Sequence, residues 1–131
     1  HKYYSEIALG IDFTARDVQA RFKEKGLPWE KAKAFDGSAA VSKFFPLATI
    51  GKDIQDINFH LNINGTTVQS GSTANMLFSV DEIISHVSKY FTLKTGDLIF
   101  TGTPAGVGRV EREDLLELFL EEERVFYFNV K

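Results

Sequence analysis

Apolar and polar residues alternate along this chain with two different periods, and the places where one period gives way to the other mark its elements. Residues 7–11 form a short apolar run of strand type, after which Ala15, Val18 and Phe22 recur at helical spacing, so strand hands over to helix between Asp12 and Thr14. Thr14 is placed to cap that helix, with Asp17 three residues on able to accept from the free amides of its first turn. Gly26 and Pro28 stop it. Farther on, Ile57, Phe59, Leu61 and Ile63 alternate with Asn58, His60, Asn62 and Asn64, the pattern of a half-buried strand. Asn64-Gly65 then predicts a type I′ hairpin, with residues 66–69 as the return. Ser79 and Glu82 have the spacing of a capping box, and they open a second helix whose Val80, Ile83, Ile84, Val87, Tyr90 and Phe91 predict one buried stripe. Residues 98–100, 115–120 and 125–130 read as strands, and residues 1–4 as a strand-like opening. Residues 30–40 have small side chains and no clear period and read as a loop, while residues 44–56 read as a mixed connection. The predicted class is α+β, mainly β, with two helices.

The first handover also carries the most suggestive chemistry. Arg16 and Gln19 share one face of the predicted helix, Val18 and Phe22 share another, and Asp12 stands beside them at the strand end. A carboxylate so placed, next to a guanidinium and an amide, suits joint binding of a metal ion and an anionic substrate. By itself the same pattern also describes a capped helix with a surface Arg and a loop Asp. Lys31 and Lys33 in the following loop are chemically alike, and periodicity does not choose between them. His60 lies on the polar face of its strand and His86 adjoins the apolar stripe of the second helix, so both read as surface or packing residues. The glycine-rich run at residues 101–108 lets a backbone fold tightly around a ligand. It is neither a P-loop, since the Gly-Lys-Ser/Thr ending is absent, nor a dinucleotide fingerprint.

Composition narrows the field. A length of 131 residues with 44% hydrophobic and 25% charged residues describes a single soluble domain with a real core. A net charge of −3 without a basic cluster argues against nucleic acid as a partner, and no apolar run is long enough for a membrane span. The absence of cysteine excludes disulfides and thiolate metal sites, and together with the lack of a signal-peptide pattern it leads us to expect a reducing, cytoplasmic setting. Twelve Phe, four Tyr and one Trp favour a β-containing fold.

Three separated motifs in one order go further. G-x-D-x-T-A-R-D-V-Q at residues 10–19, K-G-L-P-W-x-x-A-K-x-F-D at residues 25–36 and T-G-T-P-A-G-V-G at residues 101–108 resemble the fumarylacetoacetate hydrolase family, and residues 71–78 resemble its G-x-T-x-x-M-[IL]-F segment. The resemblance runs from about Gly10 to the end and implies the C-terminal catalytic domain of that family. The chain then represents roughly the last two-thirds of the domain, closest to the small acylpyruvate hydrolase and oxaloacetate decarboxylase members. It implies Asp12 as a ligand of Mg²⁺ or Mn²⁺, and Arg16, Gln19, Lys33 and Thr103 as residues that hold a small 2-oxo acid, with Lys33 and Arg16 as the catalytic pair. Lys33, and not Lys31, falls on the family's active-site lysine.

The implied reaction breaks a C–C bond by hydrolysis or decarboxylation, with isomerisation of an unsaturated oxo-diacid and a non-catalytic fragment as the alternatives. The implied assembly is a homodimer. In the family a Glu-x-Glu pair upstream joins the motif's Asp on the metal. None precedes Asp12 here, where Glu6 is the only acid, so residues upstream of His1 are expected to supply the other carboxylates. Glu121-Glu122-Glu123 has the right letters at the far end of the chain and reads as a solvated charge run. Family members often carry Gly-Asp before the first strand of the tail, where this chain has Glu113-Asp114.

Overall fold

A computed structural model describes residues 3–131, so His1 and Lys2 of the expected strand-like opening lie outside the described residues. The chain folds into two compact units, one formed by residues 10–42 and one by the remaining described residues.

The larger unit is built on a four-stranded antiparallel sheet of order β6-β5-β7-β8, with β5 Asn58–Ile63, β6 Thr66–Ser72, β7 Leu115–Leu120 and β8 Glu123–Asn129. Asn64 and Gly65 both have positive φ, 51° and 79°, as the predicted type I′ hairpin requires. On β7 the burial alternates, so that Leu116, Leu118 and Leu120 face inward. The register sets these opposite the apolar positions of β5, with Ile63 against Leu116, Leu61 against Leu118 and Phe59 against Leu120. His60 on the other face is not simply solvated, for it stacks on Phe119 with ring centroids 4.3 Å apart.

Leu120 joins Ile54 and Ile57 in a core that Ile7, Leu9, Phe45, Leu47, Ile50 and Val80 flank. Residues 44–56 resolve into β4 Phe45–Pro46, paired with β1 Glu6–Ile7, and a one-turn helix α3 Leu47–Ile50. A 3₁₀ turn, Thr73–Asn75, leads from β6 toward α4, Val80–Val87. Both halves of the predicted capping box are present, since the Ser79 hydroxyl accepts from the Glu82 amide at 3.2 Å and the Glu82 carboxylate accepts from the Ser79 amide at 2.7 Å. The Ser79 amide, and after it the Ser79 hydroxyl donating to the same carboxylate at 2.8 Å, hold the Glu82 carboxyl below its usual range. Burial and a 3.0 Å hydrogen bond donated to Asp81 tie Tyr4 to this helix and push its phenol up to about 12.

Two expectations fail in this unit. The helix stops at Val87, and Tyr90 and Phe91 are 72% and 68% exposed instead of extending a buried stripe. Residues 98–100 are not a strand, and Leu98 and Phe100 are exposed, because an apolar run becomes a strand only where a ladder partner meets it and none does so among the described residues.

The smaller unit pairs β2 Gly10–Asp12 with β3 Ala39–Val41 and carries α1 Arg16–Glu24 and the one-turn α2 Glu30–Lys33. Among the described residues, α1 to α4 make four α-helices where two were predicted. The two extra ones, α2 and α3, are four residues each, too short for a period to show. Helix α1 ends as foreseen. Gly26 at φ 62° donates to the Lys23 carbonyl at 3.1 Å and Leu27 to that of Phe22 at 2.9 Å, the paired bonds of a Schellman motif.

Candidate functional site

Within residues 10–42, four of the side chains singled out by sequence, Asp12, Arg16, Gln19 and Lys33, stand on three elements, β2, α1 and α2. Asp12 is the last residue of β2, and its ladder continues one step further, the Phe13 amide donating to the Ser38 carbonyl at 2.8 Å. Lys33 closes α2, which is held against the start of α1 by the Ala15 amide donating to the Ala32 carbonyl at 3.0 Å. Ala32 is fully buried at that contact, where only a small side chain lets two backbones approach so closely.

The ammonium of Lys33 therefore meets the strand end. Its Nζ lies 2.5 Å from Asp12 Oδ2 and donates to Thr14 Oγ1 at 2.8 Å, and the Lys33 and Asp12 side chains are each 34% exposed. It is Lys33 and not Lys31 that the fold brings to Asp12. Arg16, the first residue of α1, donates from Nη1 to Gln19 Oε1 at 3.2 Å one turn on, which points the amide and the guanidinium the same way. The group thus offers one carboxylate, one ammonium with a donor to spare, and a guanidinium, in a half-exposed setting that an acid could reach.

Thr14 does something other than what its sequence position predicted. The cap residue of α1 is Ala15, with no side-chain cap, and the Thr14 hydroxyl accepts from Lys33 instead. A tertiary contact outcompetes the local one. The signal was present, because two residues two apart in an extended segment share a face, so Asp12 and Thr14 had to point the same way.

Thr103 belongs to the other unit. Its loop is anchored to β6, with Gln69 Nε2 donating to the Pro104 carbonyl at 3.1 Å. Two glycines allow this docking: a Cβ on Gly71 would sit 3.0 Å from Pro104 Cβ and 2.9 Å from the Phe59 ring, and one on Gly106 would lie 2.2 Å from the Val68 carbonyl oxygen. The motifs at residues 71–78 and 101–108, far apart in sequence, are therefore packed together. Thr103 itself is exposed.

Among the described residues no group of three or more His, Cys, Asp or Glu side chains comes together in a way that could hold a metal ion. Asp12 is a single carboxylate already facing an ammonium, and alone it does not make the oxygen cage that Mg²⁺ or Mn²⁺ requires. Glu121 is no substitute. It was expected to be a solvated charge, but its carboxylate accepts from the Asn58 amide at 2.9 Å and from Lys52 Nζ at 3.0 Å. Those partners, the amide first, hold its carboxyl below the usual range. Among the described residues, too, no helix is long and apolar enough to cross a membrane.

Residues 3–126 match the family described as fumarylacetoacetate (FAA) hydrolase C-terminal. The chain is 46% identical over 129 residues to the oxaloacetate tautomerase FAHD1, mitochondrial, of Mus musculus, covering 98% of this chain and 58% of the relative. It is 46% identical over 108 residues to the oxaloacetate tautomerase YcgM of Escherichia coli K12, covering 82% of this chain and 49% of that one. The fumarylpyruvate hydrolase of Pseudomonas aeruginosa, solved in complex with Mn²⁺ and pyruvate, superposes with a TM-score of 0.90 at 36% identity over 98% of this chain and 55% of that one. The chain thus spans about half the length of the relatives it matches.

Proposed function

From the premise that this chain belongs to the fumarylacetoacetate hydrolase family, we propose that the whole protein is a divalent-metal-dependent enzyme acting on a small 2-oxo acid of the oxaloacetate or acylpyruvate class through its enol or enolate. The observation that carries this reading is the Asp12–Lys33–Thr14 cluster with Arg16 and Gln19 alongside. Such an acid has a carboxylate for a guanidinium fork to bind and a 2-oxo oxygen that gains negative charge as the enolate forms. Arg16 takes the carboxylate, and the Gln19 amide orients it. Lys33 gives two of its three donors to Asp12 and Thr14 and turns the third toward the developing oxyanion. Thr103 is assigned a substrate-binding role on its motif alone. Asp12 supplies one ligand to Mg²⁺ or Mn²⁺, and the remaining oxygens come from outside the described residues. When bound, the ion supplies Lewis-acid stabilisation of the enolate.

Enolate formation is common to tautomerisation, decarboxylation and hydrolytic cleavage of these acids. The names of the mouse and bacterial relatives favour tautomerisation of oxaloacetate, and that of the P. aeruginosa structure favours C–C cleavage as the second reading. Full-length protein given oxaloacetate and Mg²⁺ separates them: tautomerisation speeds the decay of the enol absorbance without releasing pyruvate, whereas cleavage releases it. In either assay Asp12→Asn is expected to lower the rate by more than about 100-fold, since even outer-shell partners of a metal are worth about 10- to 100-fold. An unchanged rate would remove Asp12 from the site.

A further inference from the structure

We propose that Thr14 is the residue that positions Lys33, a role different from the helix cap that its place before α1 suggests. A lysine ammonium rides on four flexible carbons and has three donors, so one contact fixes its distance from a partner but leaves its remaining N–H bonds free to rotate. Two contacts fix the direction of the third. Lys33 Nζ has two, 2.5 Å to Asp12 Oδ2 and 2.8 Å to Thr14 Oγ1, and both partners lie in the stretch that leads from the end of β2 to the start of α1. Thr14 is suited to the task. It is half-buried, its β-branch restricts χ1, and its hydroxyl is not spent on helix α1, whose cap position is taken by Ala15. The Asp12 contact alone would hold the charge in place. With Thr14 added, the cluster becomes a directed donor.

This inference rests on the role given to Lys33 above, and its test keeps the two apart. Lysine side-chain ¹⁵N NMR on the full-length protein reads the ammonium directly, with the Lys33 signal identified by its loss in Lys33→Met. In wild-type protein the Lys33 ammonium is expected to give a distinct signal slowed in exchange with water. Thr14→Val keeps the shape and removes the acceptor, so that signal should collapse into the averaged lysine envelope, whereas Thr14→Ser should restore it. In turnover assays Thr14→Val should lower kcat about tenfold with KM changed less than twofold, and Thr14→Ser should recover to within about threefold, as for other supporting partners of a reactive group. A Lys33 signal unmoved by Thr14→Val, in a variant whose backbone spectrum is otherwise native, overturns the inference. A Lys33→Met variant with full activity would instead refute the role of Lys33 in function, and the NMR result for Thr14 would stand on its own.

Discussion

Glu121 and Asp12 are both partly exposed carboxylates, with side chains 30% and 34% exposed, and each meets a lysine ammonium, at 3.0 and 2.5 Å. They differ in what else holds them. Glu121 sits in the turn between β7 and β8 with its own φ at 51°, and it accepts from the backbone amide of Asn58, the first residue of β5. Asp114 does the same work at the opposite end of those strands, accepting from the Glu111 amide at 2.7 Å and from Asn64 Nδ2 at 2.8 Å. In the sheet unit, then, carboxylates are spent on backbone amides and close the strand ends. Asp12 meets a side-chain ammonium that is itself steered by another side chain, and side chains can rearrange around an incoming acid at little cost, whereas a backbone ladder cannot. The same functional group serves architecture in one unit and is left available for chemistry in the other.

The largest expected effect comes from attacking the backbone contact that brings Lys33 to Asp12. Ala32 is fully buried where the Ala15 amide meets its carbonyl, so Ala32→Leu overpacks a closed contact and should cost about 1–3 kcal/mol. The comparison also predicts where the damage falls. Activity of the full-length protein should drop steeply with Lys33 displaced, while amide exchange on β5 and β7 stays native. Loss of protection in the sheet would show that the contact serves the whole fold.

This dependence on one alanine also shows what the sequence could reveal and what it could not. Wherever a local rule was left unopposed, it was legible: Ser79 and Glu82 form their capping box, Asn64 and Gly65 their turn, and Gly26 its left-handed stop. The strand-to-helix handover singled out Asp12, Arg16 and Gln19, and motif order alone chose Lys33 over Lys31; on period alone all four side chains also read as ordinary surface charge or amide. The misses share a physical cause, namely a partner distant in sequence. Thr14 was drawn from its cap by Lys33, Glu121 was drawn from solvent by Asn58 and Lys52, and residues 98–100 have strand composition without a strand beside them.

A smaller effect sharpens the contrast through pH. Glu82, Asp114 and Glu121 all have carboxyl groups held below their ordinary values of 4.5, 3.8 and 4.5, in each case first of all by a backbone amide. Each depressed group contributes stability that is present in full above its unfolded value and is lost as pH falls through the folded one. The urea midpoint should therefore be flat near neutrality and decline below about pH 4.5. Glu121→Gln should lower the plateau by about 1 kcal/mol, the worth of one such hydrogen bond, and make the acid decline shallower. An unaltered slope would mean that Glu121 titrates alike in the folded and unfolded chain.

The smallest effect should be a gain. Before β7 the chain turns through Glu111, Arg112, Glu113 and Asp114, closed by the Asp114 amide donating to the Glu111 carbonyl at 3.2 Å, with Glu113 at φ 71°. A positive φ at the third position marks a type II-like turn that favours glycine, and glycine is what family members often carry there. Holding a side chain in the left-handed region costs roughly 1–2 kcal/mol, and glycine loses about 0.5–1 kcal/mol more entropy on folding than alanine does. The difference leaves Glu113→Gly more stable by up to about 1 kcal/mol. Little is lost against this. The Glu113 carboxylate meets Arg112 Nε at only 3.7 Å with the two side chains 77% and 82% exposed, a geometry worth almost nothing. Its backbone bonds, the amide to the Val130 carbonyl at 2.8 Å and the carbonyl accepting from Asn129 Nδ2 at 3.2 Å, survive the substitution. Chemical denaturation of the variant should shift to higher urea with unchanged activity, since none of the residues assigned to the proposed site lies in this turn. A shift to lower urea would mean that the Glu113 side chain makes a favourable contact that outweighs its strain.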